Sequence, residues 1–231
     1  MELSLHSLDI AGYKNQPVPN TLFVQPGPTR HLGIILPGYR YPVEMPPLYY
    51  AGRVLLDQGA DLLRVEYAYF RTDFLEHPEV EQDRWIAEDV FAACEAALSR
   101  RSYEKITLVG KSIGTIAMGH LLADAVFQQA TCIWLTPLLT VAWLCSRIEQ
   151  AHPRSLFVLG TADKFYQQDI LRRLEHVTSG RSLLIEGANH ALEMPGNVPK
   201  SLIVLDQIVQ ALQEFLKEDT GNANTNTAHR M

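Results

Sequence analysis

The chain has 231 residues, of which 47% are hydrophobic and 20% charged, and carries a formal net charge of −6. That length suits one α/β domain, with a core large enough to stand without disulfides or a structural metal. The acidic balance, with no block of Lys and Arg, excludes a surface that tracks phosphates, so no nucleic-acid partner is expected.

The N-terminus, Met1-Glu2-Leu3-Ser4, has no positive segment leading into an apolar one, so no signal peptide is expected and the protein is assigned to the cytoplasm. Residues 3–10 and 21–24 read as two early strands, divided by the turn-rich residues 12–20. Residues 32–36 are a continuous apolar run, the pattern of a strand buried on both faces, and Pro37-Gly38 closes it. Residues 62–67, 106–109, 131–135, 156–159 and 182–185 repeat the pattern. Between them lie helical stripes. Ile86, Val90, Cys94, Ala97 and Leu98 share one face, with Glu88, Asp89 and Glu95 directed elsewhere. Residues 115–125 are an apolar helical stretch, and Leu205, Ile208, Val209, Leu212 and Phe215 form a stripe near the C-terminus.

Strands alternating with helices predict a three-layer α/β sandwich, its mostly parallel sheet of about seven or eight strands flanked by helices. Residues 1–216 are expected to form one domain without a separate lid, and the polar residues 217–231 a disordered tail. The mostly apolar run 132–145 is interrupted by Thr136, Pro137 and Thr140 and falls short of the roughly 20 residues a bilayer needs, so no membrane partner is expected. Cys94, Cys132 and Cys145 are too scattered for a disulfide framework or a metal knuckle and read as small core residues.

Gly110-Lys111-Ser112-Ile113-Gly114 follows one strand directly and opens the next helical stretch. Alone, G-x-S-x-G is a short pattern, and a Gly-Ser turn can simply start a helix. Between a strand and a helix it describes a sharp turn that presents its central serine at the edge of the sheet. Such a turn also aims helix N-terminal N–H groups at any negative charge forming there. A serine becomes nucleophilic when a base takes its proton, and the base needs a third group to orient it. Two later strand ends offer both: Gly160-Thr161-Ala162-Asp163 and Gly187-Ala188-Asn189-His190. Asp163 could instead be a turn residue or helix cap, in which case Asp169 and Glu193 are the fallback acids, and His190 could be a surface histidine. His190-Ala191-Leu192-Glu193 lacks the second histidine of a metal motif, so no metal is expected, and a serine activated by histidine and a carboxylate requires no organic cofactor.

In the order Ser112, Asp163, His190 these motifs resemble the α/β-hydrolase superfamily, over roughly residues 32–216. Within it the chain is most similar to compact, lidless members related to dienelactone hydrolases and small carboxylesterases. The resemblance implies nucleophile, acid and base at Ser112, Asp163 and His190. It implies an oxyanion hole from the backbone N–H groups of Ile113 and of Tyr39, the latter in Leu36-Pro37-Gly38-Tyr39, where Pro37 replaces the histidine familiar before that glycine. Aromatic and apolar residues after the strands make Tyr39, Tyr69, Leu138, Trp143 and Phe165 candidates to line a small acyl substrate, and Arg40 or Arg71 a candidate for a substrate carboxylate. Lys111 is expected to pack its stem behind the turn. The functional expectation is a serine hydrolase of carboxylic-ester type. The alternatives are acyl transfer or perhydrolysis by the same triad, and a non-catalytic binding or scaffold protein that keeps the fold. No oligomeric state can be read from the sequence.

Overall fold

The structure, a computed structural model, describes residues 2–225, with side chains described through Glu218. Its strands are β1 (Ser4–His6), β2 (Asn20–Val24), β3 (His31–Leu36), β4 (Asp61–Val65), β5 (Lys105–Lys111), β6 (Thr131–Leu135), β7 (Ser155–Gly160) and β8 (Arg181–Ile185). The helices are α1 (Pro46–Asp57), α2 (Glu79–Leu98), α3 (Ile113–Leu121), α4 (Ala142–Ala151), α5 (Gln168–Thr178) and α6 (Val198–Thr225).

One eight-stranded sheet has the order β1-β2-β4-β3-β5-β6-β7-β8, antiparallel at β1/β2 and β2/β4 and parallel from β4 to β8. Its central strands are apolar on both faces because helices cover both. Leu108, Cys132, Trp134 and Phe157 pack in one layer with residues of α2, α3, α4 and α5. Val109, Ile133 and Val158 pack in the other with residues of α1 and α6. Between consecutive parallel strands each connection carries a single α-helix, and among the described residues no helix is long and apolar enough to cross a membrane. All three cysteines are free and buried, as the core reading expected.

The chain leaves β3 for β4 on one side and then crosses to β5 on the other, so the topological switch lies between β3 and β5. Ligand crevices in open α/β sheets form at such a point, outside the carboxyl ends of the strands. Here it places the loop after β3 against the turn after β5. Gly38 is where they touch: a Cβ on it would come within 3.5 Å of both the Lys111 carbonyl oxygen and Ser112 Cβ.

Three sequence expectations need correction. The first strand ends at His6 rather than continuing to Ile10. The Asn20 side chain accepts from Leu8 N (2.9 Å) and donates to Leu8 O (2.8 Å), occupying the backbone groups a strand neighbour would use. Asp89 points into the protein, not away from it: it is buried and accepts from Tyr13 N (2.8 Å) and Tyr69 Oη (2.9 Å). Burial raises its carboxyl above the ordinary range, and the two donors act in the opposite sense. Finally, α6 continues through 217–225, where a disordered tail was expected. After Pro199 that helix contains no further proline, so every later residue keeps the N–H a helix requires. Residues 226–231 of the expected tail lie outside the described residues.

The carboxyl ends of β7 and β8 meet at Gly160, where a Cβ would lie 2.0 Å from the Ala188 carbonyl oxygen. Backbone cannot swing aside as a side chain can. Gly160→Ala is therefore expected to lower stability by about 2 kcal/mol or more, read as a shift in the urea midpoint. An unshifted midpoint would mean that the two loops do not need this approach.

Candidate active site

Ser112 sits where β5 ends and α3 begins, with φ 54° and ψ −118°. A non-glycine residue in this region carries on the order of 1–3 kcal/mol of strain, which the surroundings must over-determine. Ser112 N donates to the Leu135 carbonyl (3.1 Å), while Thr115 N (2.8 Å) and Thr115 Oγ1 (2.6 Å) both donate to the Ser112 carbonyl. The turn is thus held on the β6 side and on the α3 side. Gly114 lets it press against the β3 loop, since a Cβ there would lie 2.2 Å from the Leu36 carbonyl oxygen.

Asp163 and His190 follow the neighbouring strands β7 and β8. Asp163 is buried, and its two oxygens have different partners. Oδ1 accepts from Phe165 N (2.9 Å), the contact of a turn-forming aspartate, while Oδ2 lies 2.7 Å from His190 Nδ1. The turn role and the histidine contact therefore coexist in one carboxylate. His190 Nε2 lies 3.0 Å from Ser112 Oγ. With Nδ1–H donating to the carboxylate, a neutral ring leaves Nε2 as acceptor for the serine hydroxyl. Three side chains more than 25 residues apart in sequence thus share one hydrogen-bonded line. The fallback acids Asp169 and Glu193 are both exposed.

Tyr39 and Ile113 flank this line. Gly38 N donates to Tyr41 O (3.0 Å) and Tyr41 N returns to Gly38 O (3.3 Å), closing a tight turn with Tyr39 and Arg40 at its tip. Neither Tyr39 N–H nor Ile113 N–H has a protein acceptor among the described residues. Ile113 is the first residue of α3, where an N–H has no partner within the helix.

The proposed substrate-lining residues divide. Phe165 stands edge-on to the His190 ring at 5.0 Å, and Leu138 N reaches Thr115 Oγ1 (3.5 Å) beside the serine turn. Arg40 is exposed, its guanidinium 5.9 Å from the Tyr39 ring. Tyr69 does not join them. It is buried between Tyr67 and Phe74, with ring centroids 4.4 and 4.6 Å away, and its hydroxyl is given to Asp89. It lines a cavity of about 530 Å³, together with Tyr13, Tyr67, Trp85 and Asp89, and no member of the Ser112–His190–Asp163 line borders that cavity. Trp143 turns toward the protein body, where it lies 4.7 Å from the His120 ring and covers Gly119. Arg71 lies over Phe70 (5.2 Å), and Asp73 pairs with His77 (3.4 Å) rather than with Arg71. Among the described residues no group of three His, Cys, Asp or Glu side chains is placed to hold a metal ion.

The sequence reading placed the stem of Lys111 behind the turn and gave its charge no partner. The side chain is 1% exposed, and its Nζ donates to the His190 carbonyl (2.6 Å) and to Thr136 Oγ1 (2.8 Å). The ammonium also lies 4.4 Å from the centre of the Tyr41 ring. Desolvation lowers the Lys111 pKa to about 7, with the charges of Asp163 and Glu193 acting against the fall. The signal in the sequence was alternation: Lys111 is two residues from Val109 and so shares its buried face.

No family model and no curated protein matches the sequence. Solved structures do match. Est1E from Butyrivibrio proteoclasticus is similar with a TM-score of 0.68 at 14% identity, covering 94% of this chain and 100% of that one. Dienelactone hydrolase from Anabaena variabilis gives 0.68 at 15% identity, covering 94% and 99%. XC6422 from Xanthomonas campestris, an α/β serine hydrolase without a lid, gives 0.66 at 16% identity, covering 94% and 95%. At such identities the shared property is the fold. The chain has the α/β-hydrolase fold, as its motifs implied, and its structural neighbours are esterases and hydrolases.

The buried lysine makes stability depend on pH with a definite sign. Its folded pKa of about 7 lies below the ordinary 10.5, so between those values the unfolded chain holds more protons on this group and stability rises with pH. Below pH 7 both states are protonated and the group contributes no slope. Relative to Lys111→Met, the wild type should gain stability between pH 7 and 9.5, with a slope of up to about 1 kcal/mol per pH unit. Urea denaturation of both proteins across that range measures it. Parallel curves would show that the ammonium is not desolvated.

Proposed function

We propose that this protein is a serine hydrolase that acts on a carboxylic ester or related acyl substrate through an acyl-enzyme on Ser112. The observation that carries the reading is the hydrogen-bonded line from Ser112 Oγ to His190 Nε2 (3.0 Å) and from His190 Nδ1 to Asp163 Oδ2 (2.7 Å). A scaffold would have no need of it.

In the proposed reaction His190 Nε2 takes the Ser112 proton as Oγ attacks the substrate carbonyl carbon, and Asp163 stabilises the imidazolium that forms. The carbonyl electron pair moves to oxygen, which the Tyr39 and Ile113 N–H groups face. Loss of one such donor typically removes about 3–4 kcal/mol of transition-state stabilisation. Collapse of the tetrahedral species breaks the bond to the alcohol oxygen, which leaves with the proton held on His190. Water then attacks the acyl-enzyme with His190 again as base and regenerates Ser112. The residues that do this belong to the chain itself, and the substrate is a small acyl compound held among Tyr39, Leu138 and Phe165. One structural neighbour, Est1E, has been solved with ferulic acid bound. We place the enzyme in the cytoplasm, a setting that suits three unpaired thiols.

A fluorophosphonate probe tests the nucleophile directly. Wild type should label covalently and Ser112→Ala should not, whereas equal labelling of both, or none of either, would sink the proposal. Asp163→Asn should remain folded and lose turnover on p-nitrophenyl esters by about 10⁴-fold, because the amide favours the wrong imidazole tautomer. An undiminished rate would remove Asp163 from its role.

A further inference from the structure

Ser112 follows β5 and His190 follows β8, with β6 and β7 between them in the sheet. Three strand spacings amount to about 14 Å. The loop after β8 must therefore lean back across two strand ends for His190 to reach the serine. Within itself the loop is braced by Asn189, whose Oδ1 accepts from Ala191 N (2.9 Å) and Glu193 N (3.1 Å). That bracing sets its shape and does not tie it to β5.

We propose that Lys111 is a positioning residue, whose terminal amine, an N–H donor whether charged or neutral, ties the end of β5, next to Ser112, to the carbonyl of His190 and so fixes the distance between nucleophile and base. The proposal rests on the serine-hydrolase reading above. Three observations converge on it. First, the ammonium is buried at the strand end that carries the serine, and it donates to the backbone of the very residue that serves as base (2.6 Å). Among the described residues no carboxylate lies within 4.0 Å of it, so it is not there as one half of an ion pair. A methionine would fill the same space with no buried charge to desolvate.

Second, its other acceptor is held in a conformation that is costly for a threonine. Thr136 has φ 44°, a left-handed backbone that is a genuine outlier for a β-branched residue and that glycine would adopt freely. Glycine has no Oγ1, and Oγ1 is what receives the Lys111 ammonium (2.8 Å). Third, Tyr41 repeats the arrangement. Its ring lies 4.4 Å from the ammonium, while its hydroxyl donates to the Ala191 carbonyl (3.3 Å), the residue after the base. The charged and titratable groups around the ammonium come from every element packed on it: Tyr41 after β3, Asp163 after β7, and His190 and Glu193 after β8.

The test compares the full-length wild type with Lys111→Met, and with Thr136→Val as a second variant that keeps the cation and removes one acceptor. Each is checked for folding by circular dichroism and urea titration. On p-nitrophenyl acetate, Lys111→Met should lose kcat on the order of 10²-fold, as an ångström-scale misplacement of a catalytic group does, with KM within about twofold. Thr136→Val should lose severalfold in kcat with the same KM. In proton NMR, the low-field resonance of the His190 Nδ1 proton should be sharp in the wild type and broadened or lost in Lys111→Met. A folded Lys111→Met with wild-type kcat and an unchanged resonance would overturn the proposal. Should Lys111→Met not fold, a Thr136→Val protein with unchanged kcat would overturn it instead. Fluorophosphonate labelling of the wild type at Ser112 separates the two levels. Without it the hydrolase reading itself fails, and with it an inert Lys111→Met substitution removes the positioning role alone.

Discussion

The contact between His190 and Ser112 is the constraint to which the rest of this molecule answers. It joins side chains from strands that are not neighbours, and a parallel sheet cannot bring them closer than its strand spacing allows. The distance has to be closed by loops at one edge, and these must approach one another with almost no space between backbones. Gly114 against Leu36, and Gly160 against Ala188, are positions where a single added carbon would strike a carbonyl oxygen. Ala162 N then donates to Ala188 O (3.0 Å), so the loop carrying Asp163 is tied directly to the loop carrying His190. His190 and Asp163 arrive together, and what remains is to hold them over β5.

Backbone strain and buried charge both occur where this is done. Of the non-glycine residues with positive φ, Ser112, Thr136 and Leu192 all lie in turns at the carboxyl edge of the sheet, beside two buried ionisable side chains, Lys111 and Asp163. At the edge they fix orientation, because a buried polar group has few acceptable positions and each partner narrows them further. The apolar layers on both faces of the sheet supply the stability that lets one edge be locally unfavourable.

Much of this could be read in the sequence, for a definite reason. A strand buried on both faces shows as an apolar run whatever surrounds it, so β3 to β7 were visible; β8, mostly exposed at the sheet edge, showed through Leu183, Leu184 and Ile185, and residues placed after such runs inherit a known position. Ser112, Asp163 and His190 are of that kind. What stayed hidden depended on partners distant in the chain. Asp89 was assigned outward by helical periodicity, yet it is buried because Tyr13 N and Tyr69 Oη bring it donors. Tyr69 and Trp143 follow strands as expected, but Tyr69 turns to cover Asp89, and Trp143, in the first turn of α4, covers Gly119. The charge of Lys111 had no visible purpose until the loop after β8 was placed over it. Helix α1, which opens with Pro46-Pro47, carried a usable start signal in those prolines at its first turn and was not assigned from sequence.

Each parallel-strand crossover holds one helix, and this bears on selectivity. With one helix per crossover among the described residues, the walls of the proposed acyl site would come from the turns themselves, with Tyr39, Leu138 and Phe165 as the proposed lining. Apolar walls discriminate weakly, at roughly 1–3 kcal/mol per methylene, and they reject little that fits. Sharp discrimination needs a placed polar group left unpaired by the wrong substrate. The nearest candidate, Arg40, is exposed at the tip of the Gly38–Tyr41 turn and stacked on Tyr39 rather than fixed by a carboxylate. On the serine-hydrolase reading proposed above, such a centre would be rigid in its reacting atoms and permissive in what it admits, because the groups that hold the His190 ring and backbone, Asp163 and Lys111, are buried.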